Sequence, residues 1–509
     1  MFPELVSDEG RLSAGQVAEM TARLAGALVD AGVGEGDVVA VLLRNEPAYV
    51  AAALACRLLG AYLCSINWHY KAAEAGWILQ DSGARVLLAH NDLVPAIEAA
   101  VPAGVTRVGR RPGAGLRAAY GVAPGEGEGR PGWVDWEDFV QRGAPVRSPR
   151  AAARLPMPYT SGTTGRPKGV RRVAVPPDEA PAWRGVMRAV YGVEPGARCL
   201  LSAPMYHSAP MSYATACCAE GATLVLASRF DAEGTLATIE RERITHLYLV
   251  PTMFQRLLRL PAAVRSRHDL SSIRHVGSTG SPCPPAVKRA MIDWWGPVIT
   301  ESYASSEAGY ITFISSGDWL AHPGSAGRAV GPARLRVIDD AGRDLPLGQV
   351  GLIYARQPAY PDFTYVNNHA ARQALELDGL YTLGDLGWLD DEGYLYVTDR
   401  QVDMVISGGV NIYPAEIEAA LAALPGVADC AVFGAPHDEL GEALVAAVEP
   451  APGSSLSAGE VIDFLRARIA GYKVPRLVTF HERLPREDTG KIFKKRLREA
   501  HWRGHGRVI

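Results

Sequence analysis

The sequence predicts an α/β fold: a large N-terminal part built of doubly wound sheets plus a small β unit, followed by a small α+β C-terminal unit. Three observations predict it. Short, uniformly apolar runs alternate with helical periodicities over the first 300 residues. Between Ala333 and Tyr396 the pattern changes to short runs separated by Gly-closed turns. After about Asp399 a compact helix-and-strand segment follows. Strands that are apolar throughout belong in parallel sheets covered on both faces.

The elements follow in order. Leu12, Val17, Met20, Leu24 and Leu28 form a helical stripe that begins near Ser13 and stops at Gly32. Val38 to Leu43 is a buried strand, Pro47 to Leu59 a helix ended by Gly60, and Arg85 to Ala89 the next strand. Gly109 to Pro149 is rich in Gly, Pro and Arg and reads as a long surface connection. Strands at Cys199 to Ala203, Ala222 to Ala227, Thr245 to Val250 and Ile273 to Ser278 resume the rhythm. Leu335 to Ile338 and Gly351 to Tyr354, with turns at Asp340-Ala341-Gly342 and Asp391-Glu392-Gly393, predict a small antiparallel unit. Last come a helix from Pro414 to Ala423, strands near Val427 to Phe433 and Leu444 to Val448, and a helix near Ala458 to Ala470.

The bulk numbers exclude several classes. With 52 Lys+Arg against 55 Asp+Glu the net charge is −3, which argues against a dedicated nucleic-acid binder. A chain 48% hydrophobic and 21% charged is globular, not disordered. The longest apolar stretch, Val38 to Ile66, is broken by Arg44, Asn45, Glu46 and Arg57, so no transmembrane segment is expected. The N-terminus shows no basic segment followed by an apolar core. The 7 cysteines lack CxxC spacing and read as buried thiols. The expected location is cytoplasmic. Of the 52 cationic residues only 7 are lysine and the other 45 arginine, so a surviving lysine inside a motif is one whose chemistry arginine cannot copy.

The most informative stretch is Tyr159-Thr160-Ser161-Gly162-Thr163-Thr164-Gly165-Arg166-Pro167-Lys168-Gly169-Val170. Glycine N–H groups, hydroxyls and a lysine can surround phosphate oxygens. Pro167 and Gly169 flank the lysine, which rules out a Walker A loop.

This segment resembles the phosphate-binding signature of adenylate-forming enzymes, the superfamily of acyl-CoA synthetases, amino-acid adenylation domains and firefly-type luciferases. The resemblance runs along most of the chain. Pro204-Met205-Tyr206-His207 is similar to the acyl-pocket motif, and Tyr303-Ala304-Ser305-Ser306-Glu307 to the aromatic–Thr-Glu motif, with Ser306 for Thr. Gly348-Gln349-Val350-Gly351 resembles the G-E-x-G turn with Gln349 for Glu, and Tyr381-Thr382-Leu383-Gly384-Asp385 the Y-x-T-G-D motif with Leu383 for Thr. Asp399-Arg400, Ser407-Gly408-Gly409 and Pro414-Ala415-Glu416-Ile417-Glu418 resemble the interdomain segment, and Pro485 to Ile492 the C-terminal lysine motif.

The resemblance implies two half-reactions: a carboxylate attacks the α-phosphate of ATP, then a thiol, usually of coenzyme A, displaces AMP. It implies an N-terminal adenylation domain over residues 1–399 and a mobile C-terminal domain over 400–509, hinged near Asp399 to Asp403. Lys491 would be the main electrostatic catalyst and serve only the first step; Lys494 and Lys495 read as solvated tail lysines. Thr160, Ser161, Gly162, Thr163, Thr164, Gly165 and Lys168 would hold phosphates, and Glu307 the Mg²⁺ ion. Tyr303 would stack on adenine, Asp385 accept the ribose hydroxyls and Arg400 donate to ribose or phosphate, with Ser281 and Ser306 in the same nucleotide set. His207 would gate the route between the acyl and thiol tunnels. Tyr206, His207, Tyr248, Thr279, Gly280 and Ala304 would line the acyl pocket, and Gly408, Gly409 and Lys473 the coenzyme A path.

No acid lies near Met205 to Tyr213 to pair with a substrate ammonium, so an amino-acid substrate is disfavoured. Apolar and aromatic walls predict a hydrophobic acid, fatty, aromatic or polycyclic. Three readings stay open: an acyl-CoA synthetase, a ligase that loads an acyl carrier protein, and a non-catalytic nucleotide sensor. Oligomeric state is open, a homodimer included.

Overall fold

The computed structural model describes residues 2–123, 125–160, 166–176, 180–408, 410–486 and 492–503. Fourteen strands carry the N-terminal sheets: β1 (Leu5–Ser7), β2 (Gly10–Leu12), β3 (Val38–Leu42), β4 (Tyr62–Ser65), β5 (Val86–His90), β6 (Thr106–Arg110), β7 (Val134–Asp135), β8 (Tyr159–Thr160), β9 (Lys168–Arg172), β10 (Arg198–Leu201), β11 (Thr223–Leu226), β12 (His246–Tyr248), β13 (His275–Ser278) and β14 (Ile299–Glu301).

Two of these sheets are doubly wound. The seven-stranded sheet has the order β14-β13-β12-β10-β11-β1-β2, parallel except for β2. The five-stranded sheet, β4-β3-β5-β6-β7, is parallel throughout. Each has a topological switch point, where the chain leaves one flank of the sheet and continues on the other: between β10 and β12 in the first, between β3 and β5 in the second. Such crevices, outside the carboxyl ends of the strands, are where open α/β sheets place ligands.

Local chemistry fixes the helices. Ser13 and Gln16 form a capping box at the start of Ala14–Asp30. Pro47 sits in the first turn of Pro47–Leu59, and Gly60 ends it at φ +66°, as read from the sequence.

The expected surface connection over Gly109 to Pro149 is structured instead. It holds the end of β6, a helix Ala114–Tyr120, β7 and a helix Trp136–Arg142. Asp135 caps the second helix by accepting from the N–H groups of Glu137 and Asp138, and Trp136, Phe139 and Val140 are buried beneath it. The Gly, Pro and Arg content of the window masked this short amphipathic stretch.

The small β unit is antiparallel: Arg334–Ile338, Gly351–Arg356, Leu380–Leu389 and Glu376–Leu377 in that order, with Leu395–Arg400 beside Leu380–Leu389. The C-terminal sheet joins Val405–Ser407, Val410–Ile412, Val427–His437, Gly441–Pro450 and Leu477–Phe480. Helices Pro414–Leu421, Ala458–Arg466 and Lys494–Trp502 accompany it. All 7 cysteines are buried and free. Among the described residues no helix is long and apolar enough to cross a membrane.

Candidate active site

The segments that follow β10, β13 and β14 come together around one cavity, with Pro158 and Arg172 at the paired strands β8 and β9. In that pair Thr160 faces Lys168 and Tyr159 faces Gly169. A Cβ at Gly169 would stand 2.8 Å from the Tyr159 ring, so only glycine lets that ring lie across the strand.

Glu307 is the anionic centre of one half of the site. Its carboxylate is buried and its Oε1 accepts from the Tyr365 hydroxyl at 2.9 Å and from Thr160 Oγ1 at 3.3 Å. Among the described residues no Lys, Arg or His pairs with it. Lys168 Nζ stands 5.2 Å from the centroid of the Tyr365 ring. Burial and the Glu307 carboxylate both push the Tyr365 phenol upward, so it stays protonated and donates.

Next to it, Tyr303 donates its hydroxyl to Asp385 Oδ2 at 2.6 Å, and Arg400 Nε lies 3.2 Å from Asp385 Oδ1. The antiparallel register sets Asp385 opposite Arg400. Burial, then the Asp385 charge, raises the Tyr303 phenol well above its ordinary value. Ser306 Oγ donates to Ser208 Oγ at 3.1 Å, at the first residue of the helix Ser208–Glu220.

Behind these groups lies a cavity of about 130 Å³. His207, the residue before that helix, lines it with Tyr206, Thr279, Gly280 and Ala304. The Tyr206 and His207 rings lie 4.1 Å apart, tilted by 48°, and Trp68 meets Tyr206 edge-on at 4.5 Å. Gly280 turns the chain at φ +96°, a conformation that favours glycine. Thr279 faces the cavity while its hydroxyl donates to the Ser302 carbonyl at 2.7 Å. Ser281 follows, half-buried.

Several expectations need correction. Tyr248 does not itself line the cavity; it stands behind the wall, its hydroxyl donating to the Thr279 carbonyl at 3.4 Å. It is buried in a cluster with Tyr191 and Tyr213, because its strand turns the ring into the core. Lys494 is not a solvated tail lysine: its ammonium sits 2.8 Å from Glu418. Burial opposes its charge, yet Glu418, Asp399 and Asp403 outweigh burial and hold it above the usual lysine value. Gly408 and Lys473, expected on the coenzyme A path, lie away from this cavity in the C-terminal unit, where Lys473 is bound to Glu416 at 2.6 Å. Lys288, which carried no assignment, is fully buried and paired with Glu301 at 2.9 Å. Ser161, Gly162, Thr163, Thr164, Gly165, Gly409 and Lys491 lie outside the described residues.

Sequence reasoning also missed groups that the fold brings in. Trp183, Tyr310 and Tyr360 supply aromatic walls, Ser65 and Ser212 hydroxyls, and Arg172 a buried cation. Only the arginine excess hinted at the last.

Comparison with known proteins agrees with this geometry. The family model described as AMP-binding enzyme matches residues 2–360, and that of the AMP-binding enzyme C-terminal domain matches 416–491. An indoleacetate–CoA ligase of Aromatoleum aromaticum is 36% identical over 500 residues, covering 96% of this chain and 93% of the relative. A feruloyl-CoA synthase of Amycolatopsis is 35% identical over 490 residues, covering 96% and 93%. ATP-bound MatB from Rhodopseudomonas palustris superposes with a TM-score of 0.85 at 26% identity, over 99% of this chain and 97% of that one.

Proposed function

The chain belongs to the AMP-binding enzyme family, in its acyl-CoA synthetase branch, and from that premise we propose that it activates an aromatic carboxylic acid of about one ring with ATP and passes the acyl group to coenzyme A. The single observation behind the substrate class is the cavity. Its volume of about 130 Å³ is close to that of an apolar cavity of ~150 Å³ that holds benzene. A long fatty chain needs more than that space, and a fused-ring acid needs more of it than a single ring does. The walls of Trp183, Tyr206, Tyr310 and Tyr360 offer ring faces and edges for offset or edge-on contact. Of the two relatives, one is named for a feruloyl group, which carries a single aromatic ring, and the other for indoleacetate, whose aromatic ring is a fused bicycle.

The chemistry runs in two steps. A carboxylate oxygen of the acid attacks the α-phosphorus of ATP; the bond to the β-phosphate oxygen breaks, and pyrophosphate leaves. The sulfur of coenzyme A then attacks the acyl carbon and AMP leaves. Neither step needs a nucleophile from the protein, so the chain acts by positioning and by stabilising charge.

Each group then has a task in this reading. Asp385 accepts the ribose hydroxyls, with Arg400 alongside as donor, and Tyr303, held by Asp385, lies against the base. Ser306 and Thr160, with Lys168, face the phosphates. Glu307 suits a magnesium ion: magnesium takes one or two carboxylates and otherwise oxygen ligands, and Glu307 is a single buried carboxylate ringed by hydroxyls with no competing cation among the described residues. When bound, the ion neutralises phosphate charge. His207 and Tyr206 line the cavity beside Ser208, which bonds Ser306, and in this reading the acid's carboxylate emerges past them. Lys491 completes the first step from the C-terminal unit. We put the domain boundary at 399/400; in support, Leu395–Arg400 pairs in the small β unit through its last residue and Val405–Ser407 pairs in the C-terminal sheet.

The test is AMP release measured over benzoate-, phenylacetate- and cinnamate-type acids, a sixteen-carbon fatty acid and a fused-ring acid, with and without coenzyme A. Single-ring acids should exceed the others by about tenfold or more in kcat/KM, the size of discrimination a shaped apolar pocket gives. A preference for the fatty or fused-ring acid removes the substrate class. AMP release that requires a carrier protein and ignores coenzyme A removes the acceptor.

A further inference from the structure

Arg172 ends β9, the strand that returns from the phosphate-binding loop. Its side chain is buried, with 6% of the residue exposed, yet no carboxylate lies within ion-pair distance among the described residues. Instead Nη1 donates to the Pro361 carbonyl at 2.5 Å, and Nη2 donates to the carbonyls of Ser306 and Glu307, each at 2.7 Å. The guanidinium lies 5.0 Å from the Tyr360 ring centroid and 5.8 Å from that of Phe363. A buried charge without a counter-ion is costly, and the cost needs an offsetting interaction. Here the partners are three carbonyl dipoles and two ring faces.

We propose that Arg172 is a positioning residue for the nucleotide side of the site, holding Ser306 and Glu307 in place through their backbone carbonyls. Those two carbonyls belong to consecutive residues. Binding both fixes two successive peptide planes, and with them the directions in which the Ser306 hydroxyl and the Glu307 carboxylate leave the chain. The planar fork of arginine suits this; a lysine ammonium is a point donor without that geometry. The same guanidinium reaches the Pro361 carbonyl and the Tyr360 ring, so the acyl wall and the nucleotide side share one anchor. The inference rests on reading Glu307 as the carboxylate that holds magnesium.

The experiment is a magnesium titration of ATP–pyrophosphate exchange in Arg172→Lys, Glu307→Gln and the double variant, with acid KM and thermal melting measured alongside. Arg172→Lys should raise the magnesium concentration for half activity roughly 10-fold or more, within the range seen when a ligand's supporting partner is lost. Acid KM should change less than the magnesium demand does, since the fork holds the nucleotide side by two carbonyls and the acyl wall by one. The double variant should be no worse than Glu307→Gln alone. Additive effects, or a raised acid KM with magnesium demand unchanged, overturn the inference. An unchanged magnesium demand in Glu307→Gln overturns the reading of Glu307 itself, which separates the two failures. Should Arg172→Lys not fold, Arg172→Gln is titrated in the same way.

Discussion

The two doubly wound sheets share a topology and differ in what fills their switch points. In the seven-stranded sheet the crevice between β10 and β12 receives the Tyr206–Ser208 loop and opens into the cavity. In the five-stranded sheet the equivalent crevice between β3 and β5 is plugged by charge. Arg44 grips Asp92 with both terminal nitrogens, at 3.1 and 2.7 Å. Glu46 accepts from His90 Nε2 at 2.8 Å and from Arg110 Nε at 2.8 and 2.9 Å, while His90 Nδ1 accepts from the Arg44 N–H. Asp92 and Glu46 there both face bases of the same chain. In the open crevice Asp385 pairs with the half-exposed Arg400, but Glu307 is met by hydroxyls and, among the described residues, by no cation. The same fold therefore yields a binding site in one half and a strut in the other, according to whether its strand ends satisfy themselves.

Three measurements would break or sharpen this contrast. The largest effect belongs to the plugged crevice. Glu46→Ala leaves the buried His90 without its acid and Arg110 with only the exposed Glu137, and should cost about 3–5 kcal/mol of stability in denaturant unfolding. Activity per folded molecule should stay unchanged; a loss of activity without a loss of stability would show that this crevice has a guest after all. The second is acid lability. Burial pushes the Glu46 carboxyl up, but Arg110 and His90 outweigh it and hold it down at about 2, against an ordinary value of 4.5. A depressed carboxyl contributes stability fully present above 4.5 and lost as pH falls towards 2, about 3 kcal/mol at most. Melting temperature followed from pH 6 downward should fall more steeply in the native chain than in Glu46→Gln. The smallest effect belongs to the open crevice. Asp385→Asn should lower kcat/KM for ATP roughly 100-fold, about 2.7 kcal/mol, while stability moves by less than about 1 kcal/mol, since its Arg400 partner is 43% exposed. Steady-state kinetics beside calorimetry decide it.

Much of this was legible in the sequence, for local reasons. The helix Pro47–Leu59 was readable to the residue because proline and glycine punctuate it, and β3 because all of its side chains are apolar. Thr160, Glu307, Tyr303 and Asp385 stood in motifs of recognisable spacing. What was not legible is what distant segments bring together. Tyr365 lies on a three-residue strand, and only its register opposite Val170 carries its hydroxyl to Glu307. Arg172 looks like any surface arginine until Pro361, Ser306 and Glu307 close around it. Lys494 reads as a tail lysine because Glu418, which buries its charge, sits on another helix. Tyr248 went astray for the converse reason: a strand's end places a residue near the crevice, but the alternation of the strand decides which way the ring points.

The bonds to Glu307 also decide where the chain can be divided. Its carboxylate is joined to residues 147 positions earlier and 58 later, and Tyr303 to Asp385 across 82. Any break between Thr160 and Arg400 therefore parts the nucleotide groups from one another, and two such fragments would have to refold around an unfinished centre. A break in the exposed turn around Glu128–Gly132 leaves that whole set on one piece. For fragment complementation, or for insertion of a reporter, that turn is where the chain should be opened.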